Sequence, residues 1–274
     1  MENKYFPTIK NAILLCLLWV IMNLGIGFLI GLCQIMFNIS SASPIVGLLY
    51  IFTGVVSFGV VLLIGIKKSK QNINAVFKFR KISPYFFITA TILVIGLSII
   101  LSDIDNLLNF IIPMPDWLRG VFVTLMVEQP LIISIIYIGL IAAFGEELFF
   151  RGLILDGFGR NYSRNKAIIV SAILFGLIHL NPWQFVTTFI FGLVWALICI
   201  KTKSIILCIY MHLLNNVGAV IMVRLSELVP IRGYNVLTES VEFQSIWFTL
   251  SGVIILAIGI LMLIHGFHKI KIIA

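Results

Sequence analysis

Charged residues are scarce in this chain. Of its 274 residues, 11% are charged and 61% are hydrophobic, whereas a soluble domain has about 25% charged residues. This shortfall excludes an ordinary soluble domain and places most of the chain in lipid. The net charge of +8 would suit nucleic acid, but the basic residues lie in short runs between apolar stretches, where they anchor loops to anionic headgroups. We therefore expect a lipid bilayer, and no nucleic acid, as a partner.

Recognisable metal and redox motifs are also missing. The four cysteines lie in apolar segments without CxxC or His-rich spacing, which predicts buried free thiols rather than disulfides or ligands. There is no HExxH pattern, and we find no internal repeat or second domain. The sequence predicts a single membrane domain over residues 1–274, with its motifs concentrated at about residues 140–220.

Long apolar runs dominate the chain. A spanning helix needs about 20 mostly apolar residues, and eight segments meet or approach this length. These segments are 11–37, 44–66, 85–102, 129–150, 166–180, 183–200, 204–223 and 246–267. With a cytoplasmic N-terminus, only Arg119, Arg224 and Arg232 of the 19 basic residues fall on the outer side, as the positive-inside rule requires. We expect an all-α polytopic protein with about eight transmembrane helices and both termini cytoplasmic. Abundant Ile, Lys and Asn point to a bacterial plasma membrane.

Two adjacent carboxylates lie at the end of the fourth predicted span. An ionisable residue inside a span costs about 2.5–3.5 kcal/mol on insertion scales, so it is kept when paired, hydrated or used. Glu147 and Arg151 are four residues apart and share a helix face, so they can form an ion pair. Glu146 points about 100° away and lacks this partner. The spacing predicts one structural and one reactive carboxylate; the alternative is two solvated charges at the interface.

Two further spans carry polar side chains. His179 ends the fifth span, and His212 and Asn216 lie four residues apart on one face of the seventh. Each signal alone is also explained by hydrogen bonds between helices. Together with Glu146, they supply the groups that activate water and stabilise an oxyanion. His212 lies about 12 Å and His179 about 20 Å from the cytoplasmic start of its segment, so they meet only if the fifth helix is tilted or starts further inside. We expect access from the cytoplasm.

The ordered motifs Glu146-Glu147-xxx-Arg151, Phe175-xxx-His179 and His212-xxx-Asn216 resemble the signature of the CAAX protease and bacteriocin-processing (CPBP, or Abi) family. The resemblance implies an eight-span helical fold and an intramembrane endopeptidase acting on membrane-associated peptides or proteins. The implied substrates are bacteriocins, pheromones, leader peptides or CAAX-like peptides. It implies that Glu146 is the general base with His179, that His212 and Asn216 stabilise the oxyanion, and that Glu147 and Arg151 support the site.

The metal requirement and two other functions stay open. Glu146, His179 and His212 resemble a zinc-ligand set, yet with Asn216 they can activate water without a metal, and we favour this glutamate-dependent mechanism. A non-catalytic membrane scaffold or bacteriocin self-immunity protein is the main alternative, although complete motifs argue against it. A proton-coupled transporter is less expected, because neither a repeat nor matched broken helices are found in the two halves.

Overall fold

Helices make up the fold of the computed structural model, which describes residues 5–236 and 241–273; no β-strand occurs in these ranges. A π-helical segment, Thr124–Glu128, follows α5, and α6 is a continuous helix that includes the π-helical segments Ile135–Ile141 and Leu148–Ile154. In chain order the helices are α1 (Ile9–Phe37), α2 (Pro44–Ser69), α3 (Ile73–Phe77), α4 (Pro84–Ile111), α5 (Asp116–Val123), α6 (Leu131–Asn161), α7 (Arg164–Leu177), α8 (Pro182–Thr202), α9 (Ile205–Arg224) and α10 (Ile246–Ile273).

Seven helices in the described ranges are long and apolar enough to cross a membrane: α1, α2, α4, α6, α8, α9 and α10. The prediction of an all-α, multi-pass membrane protein is confirmed. The difference is the fifth predicted span, which corresponds to α7. Its 14 residues extend about 21 Å, less than the hydrocarbon thickness of about 30 Å. After a short turn, α8 packs antiparallel against α7, with Gly176 against Phe185 and Gly192 against Ala172.

The two histidine-bearing helices start at different levels along α6. Ile205, the first residue of α9, packs against Gly152 in the middle of α6. In contrast, α7 begins only after α6 has ended at Asn161. The nine residues between these levels correspond to about 14 Å of helix. This offset brings His212 and His179 towards a common depth. The common depth therefore follows from the inner start of α9. From the sequence we had instead considered a tilt of the fifth helix or a start of that helix further inside.

Three of the four cysteines are buried as predicted, and all four are free thiols. Cys33 is the exception, because it is exposed on α1. α1 turns much of its apolar surface outward, as exposed Phe28 and Leu29 show. An apolar sequence in a span therefore marks contact with lipid as readily as burial within the protein.

Glycines allow close contact between α4 and α10. Gly252, Gly259 and Gly266 recur every seven residues along α10 and face α4. A Cβ atom placed on Gly259 would lie 2.8 Å from the backbone of Leu93, and Gly96 on α4 meets the backbone of α10 in the same way. Small residues at such positions are what let transmembrane helices pack by van der Waals contact. The glycines therefore allow close van der Waals contact between the backbones of α4 and α10, and this contact holds α10 to the bundle.

We expect Gly259→Leu to destabilise the protein by about 1–3 kcal/mol, since overpacking a close interface forces the backbones apart. The measurement is the apparent melting temperature of the purified protein in detergent, followed by intrinsic fluorescence. Gly25→Leu on α1 is the matched control, because a Cβ atom there has no neighbour within 4 Å. Equal melting temperatures for the two variants would contradict the assigned role of the interface.

Candidate active site

A buried ionic network connects α6 with α9. The Glu147 side chain is fully buried, and its Oε1 lies 3.0 Å from Nη1 of Arg151. The same oxygen accepts a hydrogen bond of 2.8 Å from Nδ1 of His212. The Arg151 guanidinium also lies 4.3 Å from the centroid of the Phe175 ring, a cation–π arrangement. The ion pair inferred from the spacing is present, and His212 joins it as a third member that the spacing did not predict.

Glu146 lies on the cavity side of the same helix. Its residue exposure is 8%, so the interpretation of both carboxylates as solvated interface charges does not fit. The Oε2 atom of Glu146 is buried without a hydrogen-bond partner in the described part of the chain. It lies 3.8 Å from Nε2 of His212. The Oε2 atom of Glu147 also lacks a hydrogen bond among the described residues, so the two carboxylates differ in the contacts that Oε1 of Glu147 makes with Arg151 and His212.

His179 follows the end of α7 and is held by its own helix. Its Nδ1 lies 2.9 Å from the backbone oxygen of Phe175. A carbonyl oxygen can only accept, so Nδ1 carries the proton and Nε2 of the neutral ring has the lone pair. The Phe175 ring packs edge-on against both imidazoles, at centroid distances of 5.5 Å to His179 and 5.9 Å to His212. Phe175 thus supports both histidines, a role that its position four residues before His179 indicates in retrospect.

Asn216 belongs to a chain of polar contacts across three helices. Its Nδ2 donates to the backbone oxygen of Ile138 at 2.9 Å, and its Oδ1 accepts from Asn215 at 3.2 Å. Asn215 in turn accepts from Oγ of Ser98 on α4 at 2.9 Å. A carboxamide nitrogen has two hydrogens, so Asn216 retains one for another partner. Asn215 and Ser98 were not identified from the sequence, where only their polarity inside spans marks them.

One cavity collects the predicted site residues. Glu146, His179, His212 and Asn216 all line a cavity of about 920 Å³. Most of its remaining wall is apolar or aromatic, which is the usual composition of a ligand site with a few oriented polar groups. The residues identified separately from three motifs therefore face a shared space.

The cavity extends along α4 and α9 to Tyr234, in the segment that follows α9. The charge distribution assigns this end of the bundle to the outer face. This placement disagrees with the expectation of access from the cytoplasm. The orientation of the bundle, and with it the side from which the cavity is reached, stays a prediction.

The candidate zinc ligands do not fit a metal centre. In residues 5–236 and 241–273, no group of three His, Cys, Asp or Glu side chains is arranged to hold a metal ion. Nδ1 of His212 is committed to Glu147, and Nδ1 of His179 to a backbone oxygen. Each ring therefore offers only Nε2, and in the described part of the chain these atoms and Glu146 are not arranged as the ligand set of a tetrahedral zinc ion.

Comparison with known families identifies the part of the chain that carries this site. Residues 128–218 match the family model described as type II CAAX prenyl endopeptidase Rce1-like. Over these residues the chain is similar to that family. The matched stretch contains all the motif residues from Glu146 to Asn216, and it confirms the family resemblance seen in the sequence. The family is one of proteases.

The match to an individual protein covers a shorter stretch than the match to the family model. YyaK of Bacillus subtilis (strain 168), an uncharacterized protein, is 38% identical over 81 residues. The alignment covers 26% of this chain and 27% of YyaK, so the chain spans about a quarter of the length of this relative. No solved structure matches the chain.

We expect Glu147→Gln to lower the stability far more than Glu146→Gln. Removing one partner of a buried ion pair leaves the other charge uncompensated, which costs about 3–5 kcal/mol; here the uncompensated group would be Arg151. Glu146 is the matched control because it is adjacent and buried but is not paired with Arg151. The apparent melting temperatures of both variants in detergent test this difference. A Glu147→Gln protein as stable as wild type would show that the network does not support the fold.

Proposed function

We propose that this protein is an intramembrane endopeptidase that hydrolyses a peptide bond of membrane-associated peptides or proteins. The observation that carries the proposal is the buried, unpartnered Oε2 of Glu146, which faces an apolar cavity together with His179, His212 and Asn216. Glu146 lacks the arginine partner that Glu147 has, and its nearest basic group is Nε2 of His212 at 3.8 Å. A carboxylate without a close partner is costly in such surroundings. The Rce1-like stretch supports the same reaction class.

Water activation is assigned to Glu146 and His179. A water molecule in the cavity donates one hydrogen to the free Oε2 of Glu146 and the other to the lone pair on Nε2 of His179. As the water oxygen attacks the substrate carbonyl carbon, Glu146 accepts the proton, and this proton later passes to the leaving nitrogen. General base catalysis of this kind contributes about 10²–10⁴-fold to a rate.

Oxyanion stabilisation is assigned to His212 and Asn216. Because Nδ1 of His212 donates to Glu147, its Nε2 can act as a donor only when the ring is an imidazolium. The carboxylate of Glu147 stabilises that cation, so its contact with His212 has a chemical as well as a structural consequence. The unused N–H of Asn216 supplies a second donor. Donors held in place before the reaction stabilise a developing charge without reorganisation.

The substrate class is narrowed by the cavity wall. Its aromatic and aliphatic residues fit apolar side chains or a lipid chain beside the cleaved bond. Bacteriocin, pheromone or leader peptides, or a CAAX-like terminus, are the candidates that follow from the family resemblance. The hypothesis of a scaffold or immunity protein gives the carboxylate of Glu146 no role. The hypothesis of a proton-coupled transporter gives the oriented carboxamide of Asn216 no role.

Glu146→Gln is expected to reduce peptide cleavage by about 10²–10⁴-fold, with little change in folding. Purified protein in liposomes is incubated with a randomised peptide library, and new termini are quantified by mass spectrometry. Glu128→Gln is the matched control, because Glu128 is an exposed carboxylate bonded to Thr124 outside the cavity. A zinc chelator in the same assay is expected to leave the rate unchanged. Wild-type rates in the Glu146→Gln protein would overturn the proposal.

Asn216→Ala is expected to reduce kcat by about 10²–10³-fold, the usual cost of losing one oxyanion donor. Its KM should change little, since the donor acts mainly in the transition state. Asn215→Ala should have a smaller effect, because Asn215 contacts Asn216 rather than the proposed oxyanion position. Steady-state kinetics on one cleaved peptide give kcat and KM for both variants. The oxyanion assignment would fail if Asn216→Ala changed KM alone.

A further inference from the structure

A second carboxylate without a hydrogen-bond partner lines the cavity. Asp105 on α4 contributes to the same wall as Glu146, and its Oδ1 is buried without a hydrogen bond in the described part of the chain. No ion pair between described residues includes Asp105. The proposed reaction does not use this side chain, so its place in the cavity needs a separate explanation.

The described wall of the cavity contains no lysine or arginine that could neutralise Asp105. Among the described residues that line it, there is no Lys or Arg, and the carboxylates are Asp105 and Glu146. Burying an unpaired carboxylate is unfavourable, so such a group either keeps its proton or takes a cation as partner. No lysine or arginine of the described wall supplies that cation, and the imidazole of His212 lies about 15 Å from Asp105 along the helix axis. A cationic group on a ligand would supply it.

The neighbouring Asp103 is a carboxylate on the same helix whose two oxygens both have hydrogen-bond partners. Its Oδ1 accepts from the backbone nitrogen of Gln244 at 3.2 Å, and its Oδ2 accepts from Thr249 at 3.3 Å. Asp103 does not line the cavity. Two acidic residues on one turn of α4 are therefore distinguished by their surroundings, and only Asp105 presents an unused oxygen to the cavity.

The separation of Asp105 from the proposed reaction centre can be derived from helix geometry. α4 and α9 run parallel here, because Thr91 contacts Tyr210 and Ser98 contacts Asn215. Asp105 lies seven residues beyond Ser98, about 10.5 Å along the axis, and His212 lies three residues before Asn215, about 4.5 Å in the opposite direction. The axial separation between Asp105 and His212 is therefore about 15 Å. An extended peptide covers this distance in four to five residues.

We propose that Asp105 binds a cationic group of the substrate, four to five residues from the cleaved bond. The group is a Lys or Arg side chain or a free amino terminus. This inference rests on the proposed peptidase function, and it adds a selectivity for basic peptides to it.

The experiment uses the full-length protein in liposomes and matched synthetic peptides built on a sequence cleaved from the library. Lysine and norleucine are exchanged one position at a time, and each peptide is made with a free or an acetylated amino terminus. We expect lysine four to five residues from the cleaved bond to raise kcat/KM at least tenfold, which corresponds to about 1.4 kcal/mol. If the amino terminus is the recognised group, acetylation rather than the lysine exchange removes the preference.

Asp105→Asn, which keeps the shape of the side chain and removes its charge, is expected to bring the lysine-to-norleucine ratio to about one. Asp103→Asn is the matched control and is expected to keep the wild-type ratio. A folded Asp105→Asn protein with an unchanged ratio would overturn the inference. Should this variant not fold, the wild-type scan decides alone, since cleavage without any preference for a cation also overturns it. In that case the peptidase proposal stands, whereas wild type that cleaves no library peptide contradicts both.

Discussion

The structure depends on the neutralisation of one buried arginine. Arg151 is only 4% exposed, and a charge at such a position is tolerated when a partner and further contacts compensate its desolvation. Glu147 supplies the opposite charge and Phe175 covers the guanidinium face. Because Glu147 also accepts from His212, the neutralisation that allows α6 to be buried also sets the position and tautomer of an imidazole. Glu146, the adjacent carboxylate, is left uncommitted for this reason.

A second polar chain sets the distance between helices on the other side of the cavity. The contacts from Ser98 through Asn215 and Asn216 to the Ile138 oxygen join α4, α9 and α6. Ile138 lies in a π-helical segment, a backbone form that is concentrated at functional sites in other proteins. Hydrogen bonds between transmembrane helices are individually modest. Linked as a chain, these hydrogen bonds fix the carboxamide of Asn216 relative to the ionic network. The polar groups are therefore arranged before any substrate binds.

Periodicity predicted the contacts that lie within one helix. Four-residue spacing was sufficient for the Glu147–Arg151 pair and for the opposite direction of Glu146. It could not predict that His212 would contact Glu147, since these residues are 65 positions apart and their meeting depends on the level at which α9 begins. Hydropathy likewise measures the length of an apolar run and not its depth, so the short segment that forms α7 was counted among the eight predicted spans. The assignment of roles to Glu146, His179, His212 and Asn216 stays a proposal.

The bundle is packed differently on the two sides of Glu146 and Glu147 along α6. Beyond Glu147, α6 continues with Phe149, Phe150 and Ile154, whose side chains are fully buried, so this half of the bundle is closed by a dense core. The cavity extends the other way, past Asn216 to Asp105 and Tyr234. A peptide entering along this path meets the carboxylate of Asp105 before it meets Glu146. The charged group would therefore be recognised first, and the bond to be cleaved would be placed by the distance between the two acids.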